Sequence, residues 1–270
     1  TYSNSSDTPN TSNRSLSFSV NDGGSSSAAS TKTVSVAAVN DAPTVTTSGG
    51  SASFVAGDNS ASTPVVVDSG LSVGDLDNSS LASATVSITG NFHAGEDILQ
   101  FTNDGSTMGN IAASYNLATG VLTLTSAGGT ATLAQWQAAL RSVTYTDSAV
   151  TPNNATRVIS FKANDGSSDS SIATRTVTVT DTDQTPILTT SGGSNTFVKG
   201  QPAVVIDSGV TVSDLDNTTL ASATVAVTGN FHSAEDVLGF TNTSSAMFGN
   251  IIASYNAGTG VLTLTSAGAT

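Results

Sequence analysis

The sequence repeats over a long period, and nothing else about it limits the fold so tightly. From Asp75 to Phe92 it reads DLDNSSLASATVSITGNF, and from Asp214 to Phe231 DLDNTTLASATVAVTGNF, identical at 14 of 18 positions. SYNLATGVLTLTSAG (114–128) returns as SYNAGTGVLTLTSAG (254–268), and TYSNSSDTPNTSNRSLSFSVNDG (1–23) matches TYTDSAVTPNNATRVISFKANDG (144–166). Thr1 aligns with Thr144, an offset of 143, and Asp75 with Asp214, an offset of 139, so the period is roughly 140 residues. That is the length of a whole domain rather than of one solenoid turn.

Proline linkers, VNDAP (39–43) and DTDQTP (181–186), mark the boundaries. Residues 1–41 are then the C-terminal part of one repeat, 42–183 a complete repeat, and 184–270 the N-terminal part of a third. Neither partial repeat holds all the strands its core requires. Thr270 aligns with Thr130 and Thr1 with Thr144, so 13 residues, the equivalents of 131–143, separate tail from head. Two arrangements follow: the chain is a window on a longer array, or a tail is completed by the head of a neighbouring copy in a filament.

Period-two alternation predicts strands almost throughout. It is clear in Ile159/Phe161/Ala163 and its copy Leu16/Phe18/Val20, and in Val177/Val179 and its copy Val34/Val36. Val86/Ile88, Leu99/Phe101 and Leu122/Leu124 read as further inward pairs, and NLATG (116–120) as a hairpin loop. TLAQWQAALRSV (132–143) departs from the pattern. Thr132 can cap a short helix there, which sets Leu133, Trp136 and Leu140 on one face. Trp136, the sole tryptophan, reads as a core plug. Many short strands with one helix per complete repeat predict an all-β, Greek-key sandwich of immunoglobulin-like type.

Charge narrows the partners. With 20 acidic and 7 basic residues the net charge is −13, which opposes binding to nucleic acid or anionic lipid and favours cations. Cysteine is absent, so disulfides, thiolate metal sites and cysteine nucleophiles are excluded. No apolar run approaches the ~18 residues of a membrane span, no membrane insertion is expected, and residues 1–30 hold no signal-peptide core.

The acidity is placed rather than scattered. Asp22/Asp165, Asp68/Asp207, Asp75/Asp214, Asp77/Asp216, Glu96/Glu235 and Asp97/Asp236 recur between copies and account for 12 of the 20 carboxylates. In a sandwich of seven alternating strands, Asp75 and Asp77 fall in the loop after the second strand and Asp165 in the loop before the last. Both loops then sit at the end where the preceding linker, with Asn40 and Asp41, enters. Carboxylates brought this close repel each other unless a hard cation with 6–8 oxygen ligands takes up the charge, which fits Ca²⁺. The alternative is a solvated turn in which Asp and Asn cap backbone groups. Asp68 and Asp207 read as structural. Glu96-Asp97 and Glu235-Asp236 read as strand-start turns, with a second cation site as the alternative.

These stretches resemble a known family. ANDGSSDSSIATRTVTVTDTDQTP (163–186) is similar to the closing stretch of a cadherin repeat, VGDLDN (73–78) to its A-x-D-x-D element, YNLATGVLTL (115–124) to its T-G-x-I turn, and VNDAP to a shortened D-x-N-D-N-A-P linker. The nearest likeness is to bacterial cadherin-like tandem repeats of large secreted surface adhesins. That resemblance implies Ca²⁺ between successive domains, held by Asp41, Asp75, Asp77 and Asp165 at one junction and by Asp181, Asp183, Asp214 and Asp216 at the next. The chain departs from the family where TLAQWQAAL replaces the L-D-R-E element and where the linkers lack the full acidic ladder.

The expected function is structural. Extender repeats of a long extracellular or cell-surface adhesin or fibre, stiffened by Ca²⁺ at the junctions, would have neighbouring repeats as partners. The alternative is a sandwich module whose end loops bind glycan or a cell-surface protein. No enzyme is expected, because adjacent carboxylates do not make a pair facing across a substrate, and near-identical copies favour spacing over catalysis.

Overall fold

A computed structural model describes residues 1–266; residues 267–270, the end of the third segment and of its SYNAGTGVLTLTSAG copy, lie outside the described residues. The chain divides into two units, Thr1–Thr182 and Asp183–Thr270.

The first unit opens with an antiparallel pair, β1 (Arg14–Phe18) and β2 (Ser30–Val34). The complete repeat follows with β3 (Thr44–Thr46), β4 (Ser51–Val55), β5 (Val65–Val66), β6 (Ser72–Gly74), β7 (Ser83–Gly90), β8 (Asp97–Gln100), β9 (Ile111–Asn116) and β10 (Val121–Ser126). Helix α1 (Leu133–Arg141) comes next, then β11 (Thr144–Asp147), β12 (Arg157–Asn164) and β13 (Ala173–Thr180). The repeat therefore has eleven strands, β3 to β13, rather than seven. The difference arises because several predicted long strands are broken by loops and re-enter a second sheet.

The result is an all-β sandwich. One layer is a six-stranded sheet in the order β4-β13-β12-β7-β10-β9, antiparallel except for the parallel β4–β13 pair. The other layer consists of a three-stranded sheet, β5-β11-β8, and the β3–β6 pair. Alternation along β12 buries Arg157, Ile159, Phe161 and Ala163 on one face. Phe54 of β4 meets Tyr145 of β11 edge to face with ring centroids 5.4 Å apart, which ties the two layers together.

Helix α1 closes one corner of this core. Thr132 Oγ accepts from the Gln135 N–H and Gln135 Oε1 accepts from the Thr132 N–H, a full capping box. Trp136 is buried, and its Nε1 donates to the Leu81 carbonyl at 3.0 Å, so the plug brings its own hydrogen-bond partner. Arg141 Nε donates to the Leu71 carbonyl at 2.6 Å.

The second unit contains β14 (Ile187–Thr189), β15 (Thr211–Ser213), β16 (Ser222–Ala226), a short α2 (Ser245–Phe248), β17 (Ile252–Asn256) and β18 (Val261–Thr265). Its pairs β14–β15 and β16-β18-β17 copy β3–β6 and β7-β10-β9. The counterparts of β4, β5 and β8, residues 194–198, 204–205 and 236–239, are not strands. In the complete repeat those three strands pair only with β13 or β11. A strand forms here only where its hydrogen-bonding partner lies within the same unit.

Candidate functional site

The GDLDN turn after β6 folds around its first carboxylate. Asp75 Oδ1 accepts from the backbone N–H of Asp77 at 3.1 Å and of Asn78 at 2.8 Å. Asp77 Oδ2 in turn accepts from the Asp41 N–H of the linker at 3.2 Å. Asn40 bridges to the loop after β12: its Nδ2 donates to Asp165 Oδ2 at 2.8 Å and to Ser168 Oγ at 3.2 Å, while its Oδ1 accepts from Asn78 Nδ2 at 3.3 Å. Asp41, Asp75, Asp77 and Asp165 thus belong to one continuous polar network in which the linker joins the two loops.

The electrostatics of the four positions differ. Burial, and then the neighbouring Asp77 carboxylate, push the Asp75 carboxyl above the ordinary range, against the lowering pull of the Asn78 and Asp77 N–H groups. Its Oδ2 is buried and has no hydrogen-bond partner. At Asp165 desolvation acts upward, but the Ser168 N–H, the Asn40 amide and the Ser167 N–H outweigh it and hold the carboxyl below its usual value.

Within the second unit the same wiring returns at Asp183, Asp214 and Asp216. Asp214 Oδ1 accepts from the N–H groups of Asp216 and Asn217 at 3.2 and 3.0 Å, Asp216 Oδ2 from the Gln184 N–H at 3.0 Å, and Asp183 Oδ1 from Asn217 Nδ2 at 3.4 Å. Here Asp214 lies below the usual carboxylate range, chiefly because the Asn217 N–H donates to it. Asp181 belongs to the first unit, where its N–H donates to Asn154 Oδ1 at 2.7 Å.

Does the first network suit a hard cation? Its donors are all oxygens, and Asp75 Oδ2 is an acceptor without a donor, the kind of group a cation satisfies. Among the described residues, however, no three carboxylates or imidazoles form a finished metal cage. Amide groups of Asn40 and Asn78 stand between the carboxylates and separate them. A bound ion would displace the Asn40 amide hydrogens from Asp165 and take its Oδ1 as a ligand instead.

A second ionic cluster was read from the sequence only as a strand-start turn. Arg157 Nε reaches both carboxylate oxygens of Asp97 at 2.9 and 3.0 Å, and its Nη2 reaches Asp147 Oδ2 at 3.1 Å, with all three side chains buried. The Tyr145 hydroxyl donates to Asp97 Oδ1, the His93 N–H to Asp97 Oδ2 at 2.6 Å, and the Tyr115 hydroxyl to the Asp97 carbonyl at 2.7 Å. Burial and the Asp97 charge push the Tyr115 phenol up to about 12. Arg157 Nη1 also donates to the carbonyls of Asn153 and Ala155, pinning the loop before β12. The cluster has no opening to substrate and holds β8, β11 and β12 together. Its signal was present: Arg157 is in phase with Ile159, Phe161 and Ala163, and it recurs as Arg14.

Fold, repetition and network define tandem all-β sandwich domains joined by short acidic linkers. No protein-family model matches the chain. It is similar to Halomucin of Haloquadratum walsbyi, with 38% identity over 123 residues, which is 45% of this chain and 1% of Halomucin. Since 123 residues make up 1% of it, Halomucin is on the order of 10,000 residues long. No helix among the described residues is long and apolar enough to cross a membrane.

Proposed function

We propose that this chain is a run of structural spacer repeats from a large cell-surface or extracellular protein, stiffened by Ca²⁺ at the domain ends in the manner of cadherin-like repeats. The observation that carries this reading is the partnerless, buried Asp75 Oδ2 at the centre of a network that joins linker, GDLDN turn and the loop after β12. Asp41, Asp75, Asp77 and Asp165 would hold the ion, with Asn40 turning its carbonyl oxygen toward it. Sequence repetition assigns the same role to Asp181, Asp183, Asp214 and Asp216. Similarity to a protein as long as Halomucin supports a spacer role, and the copied core supports a module built to be repeated rather than diversified.

The mechanism is linkage. An ion that binds only when the linker lies against the two loops favours that alignment over hinged states. With a millimolar Kd, ordinary for extracellular modules, ion at about ten times Kd adds about 1.4 kcal/mol per site. X-ray scattering and thermal melting of the chain in Ca²⁺ and in chelator test it. A longer maximum dimension and a higher Tm in Ca²⁺ are expected, and identical values in both would reject calcium stiffening.

A further inference from the structure

The two partial repeats expose the residues that the complete repeat buries. Phe54 is 0% exposed and its copy Phe197 62%; Val67 is 0% and Ile206 59%; Phe161 is 0% and Phe18 58%. The tail segments 194–198, 204–205 and 236–239 are not strands, and the strands they correspond to pair in the complete repeat only with β11 or β13. The head supplies that missing half. Residues 1–23 match 144–166 at 12 of 23 positions, and β1–β2 keep the register of β12–β13, Arg14 opposite Val34 as Arg157 is opposite Val177.

We propose that residues 1–34 of one copy of this chain dock onto the tail of a second copy, taking the place that residues 144–177 hold in the complete repeat. The complete repeat fixes the register. Ile159 faces Ile88 and Phe161 faces Val86, so Leu16 comes opposite Val227 and Phe18 opposite Val225. β1 thereby covers the open edge of β16, and β2 recruits residues 194–198 as an edge strand. Asp236 is already set for the arginine. Its Oδ2 accepts from the His232 N–H at 2.8 Å and its carbonyl from the Tyr255 hydroxyl at 2.6 Å, as His93 and Tyr115 do for Asp97. Arg14 and Tyr2 then occupy the positions of Arg157 and Tyr145, with Asn4 in place of Asp147. The surfaces joined are different, so the contact is heterologous and propagates head to tail. It involves none of the proposed cation ligands and proceeds in chelator.

Sedimentation velocity of the full chain in chelator, from micromolar to millimolar concentration, tests the pairing. The expected result is a concentration-dependent ladder of oligomers. Phe18→Asp blocks the head and Val225→Asp blocks the tail; each variant alone stays monomeric, and their equimolar mixture stops at dimers, one intact head on one intact tail. Arg14→Met weakens association at least about tenfold by leaving Asp236 covered and unpaired. Trp136 lies only in the complete repeat, so its buried-indole emission verifies that each variant is folded. A wild-type chain monomeric at millimolar concentration overturns the proposal, as does Phe18→Asp associating like wild type or a mixture that stays monomeric. Because chelator is present throughout, failure here leaves the cation reading untouched.

Discussion

Replacing Arg157 by Met keeps most of the side-chain volume and removes the charge that two buried carboxylates share. Asp97 and Asp147 are left with only the Tyr145 hydroxyl and the N–H groups of His93 and Ala149 as donors. The carbonyls of Asn153 and Ala155 lose theirs. Breaking a buried ion pair from one side costs about 3–5 kcal/mol, a large share of the ~5–15 kcal/mol that stabilises a domain. At about 2–8 °C per kcal/mol for domains of this size range, the Tm falls by 10 °C or more. Melting followed by Trp136 emission reads the complete repeat alone, since no other tryptophan is present. The triple variant Arg157→Met/Asp97→Asn/Asp147→Asn recovers most of the loss, because neutral groups tolerate burial that lone carboxylates do not. A loss for Arg157→Met below about 1 kcal/mol, the size of a surface ion pair, would refute the claim that this cluster anchors the core.

Asp75→Asn keeps the Oδ1 acceptor of the turn and removes a desolvated charge. It raises the Tm in chelator at neutral pH and abolishes the Tm increase on adding Ca²⁺. The sign follows from the raised Asp75 carboxyl: its stabilising contribution is complete below the unfolded carboxylate range and is lost as pH rises through its raised folded value. The advantage of Asp75→Asn in chelator therefore shrinks on acidification, as a pH series of melts would show. Thr132→Ala removes the capping box of α1 and costs about 1 kcal/mol in chemical denaturation. Gly120 has φ +67° and a Cβ there would meet the Phe92 ring at 2.8 Å, so Gly120→Ala costs about 1–2 kcal/mol for the backbone before any ring displacement.

Much of the fold was legible because alternation and repetition are local signals. Ile159/Phe161/Ala163, Val86/Ile88 and Leu122/Leu124 point inward as their spacing predicts, and Thr132 caps the helix that carries Trp136. The strand count was not legible. β5 is two residues long and β3 and β6 three each, and such short ladders exist only because a partner 70 or more residues away, or one in the opposite layer, meets them. The same dependence explains why VVIDSG in the tail is not a strand although VVVDSG in the complete repeat contains one. For the network, residue spacing brought Asp41, Asp77 and Asp165 to a common neighbourhood, but the Asn40 and Asn78 amides between them depend on side-chain packing that spacing does not encode. Arg157 was missed for a different reason: a lone basic residue in an apolar alternation reads as a surface break unless its two carboxylate partners, 60 and 10 residues away, are known.

The measurement closest to the central claim is a crystal structure of the chain grown in millimolar Ca²⁺, with anomalous scattering recorded. The account predicts an anomalous peak about 2.3–2.6 Å from Asp75 Oδ2 and from carboxylate oxygens of Asp77 and Asp165, with the Asn40 amide nitrogen turned away from Asp165. A map without such a peak, in which Asn40 Nδ2 still donates to Asp165 and Asp75 Oδ2 faces a water molecule, would contradict it.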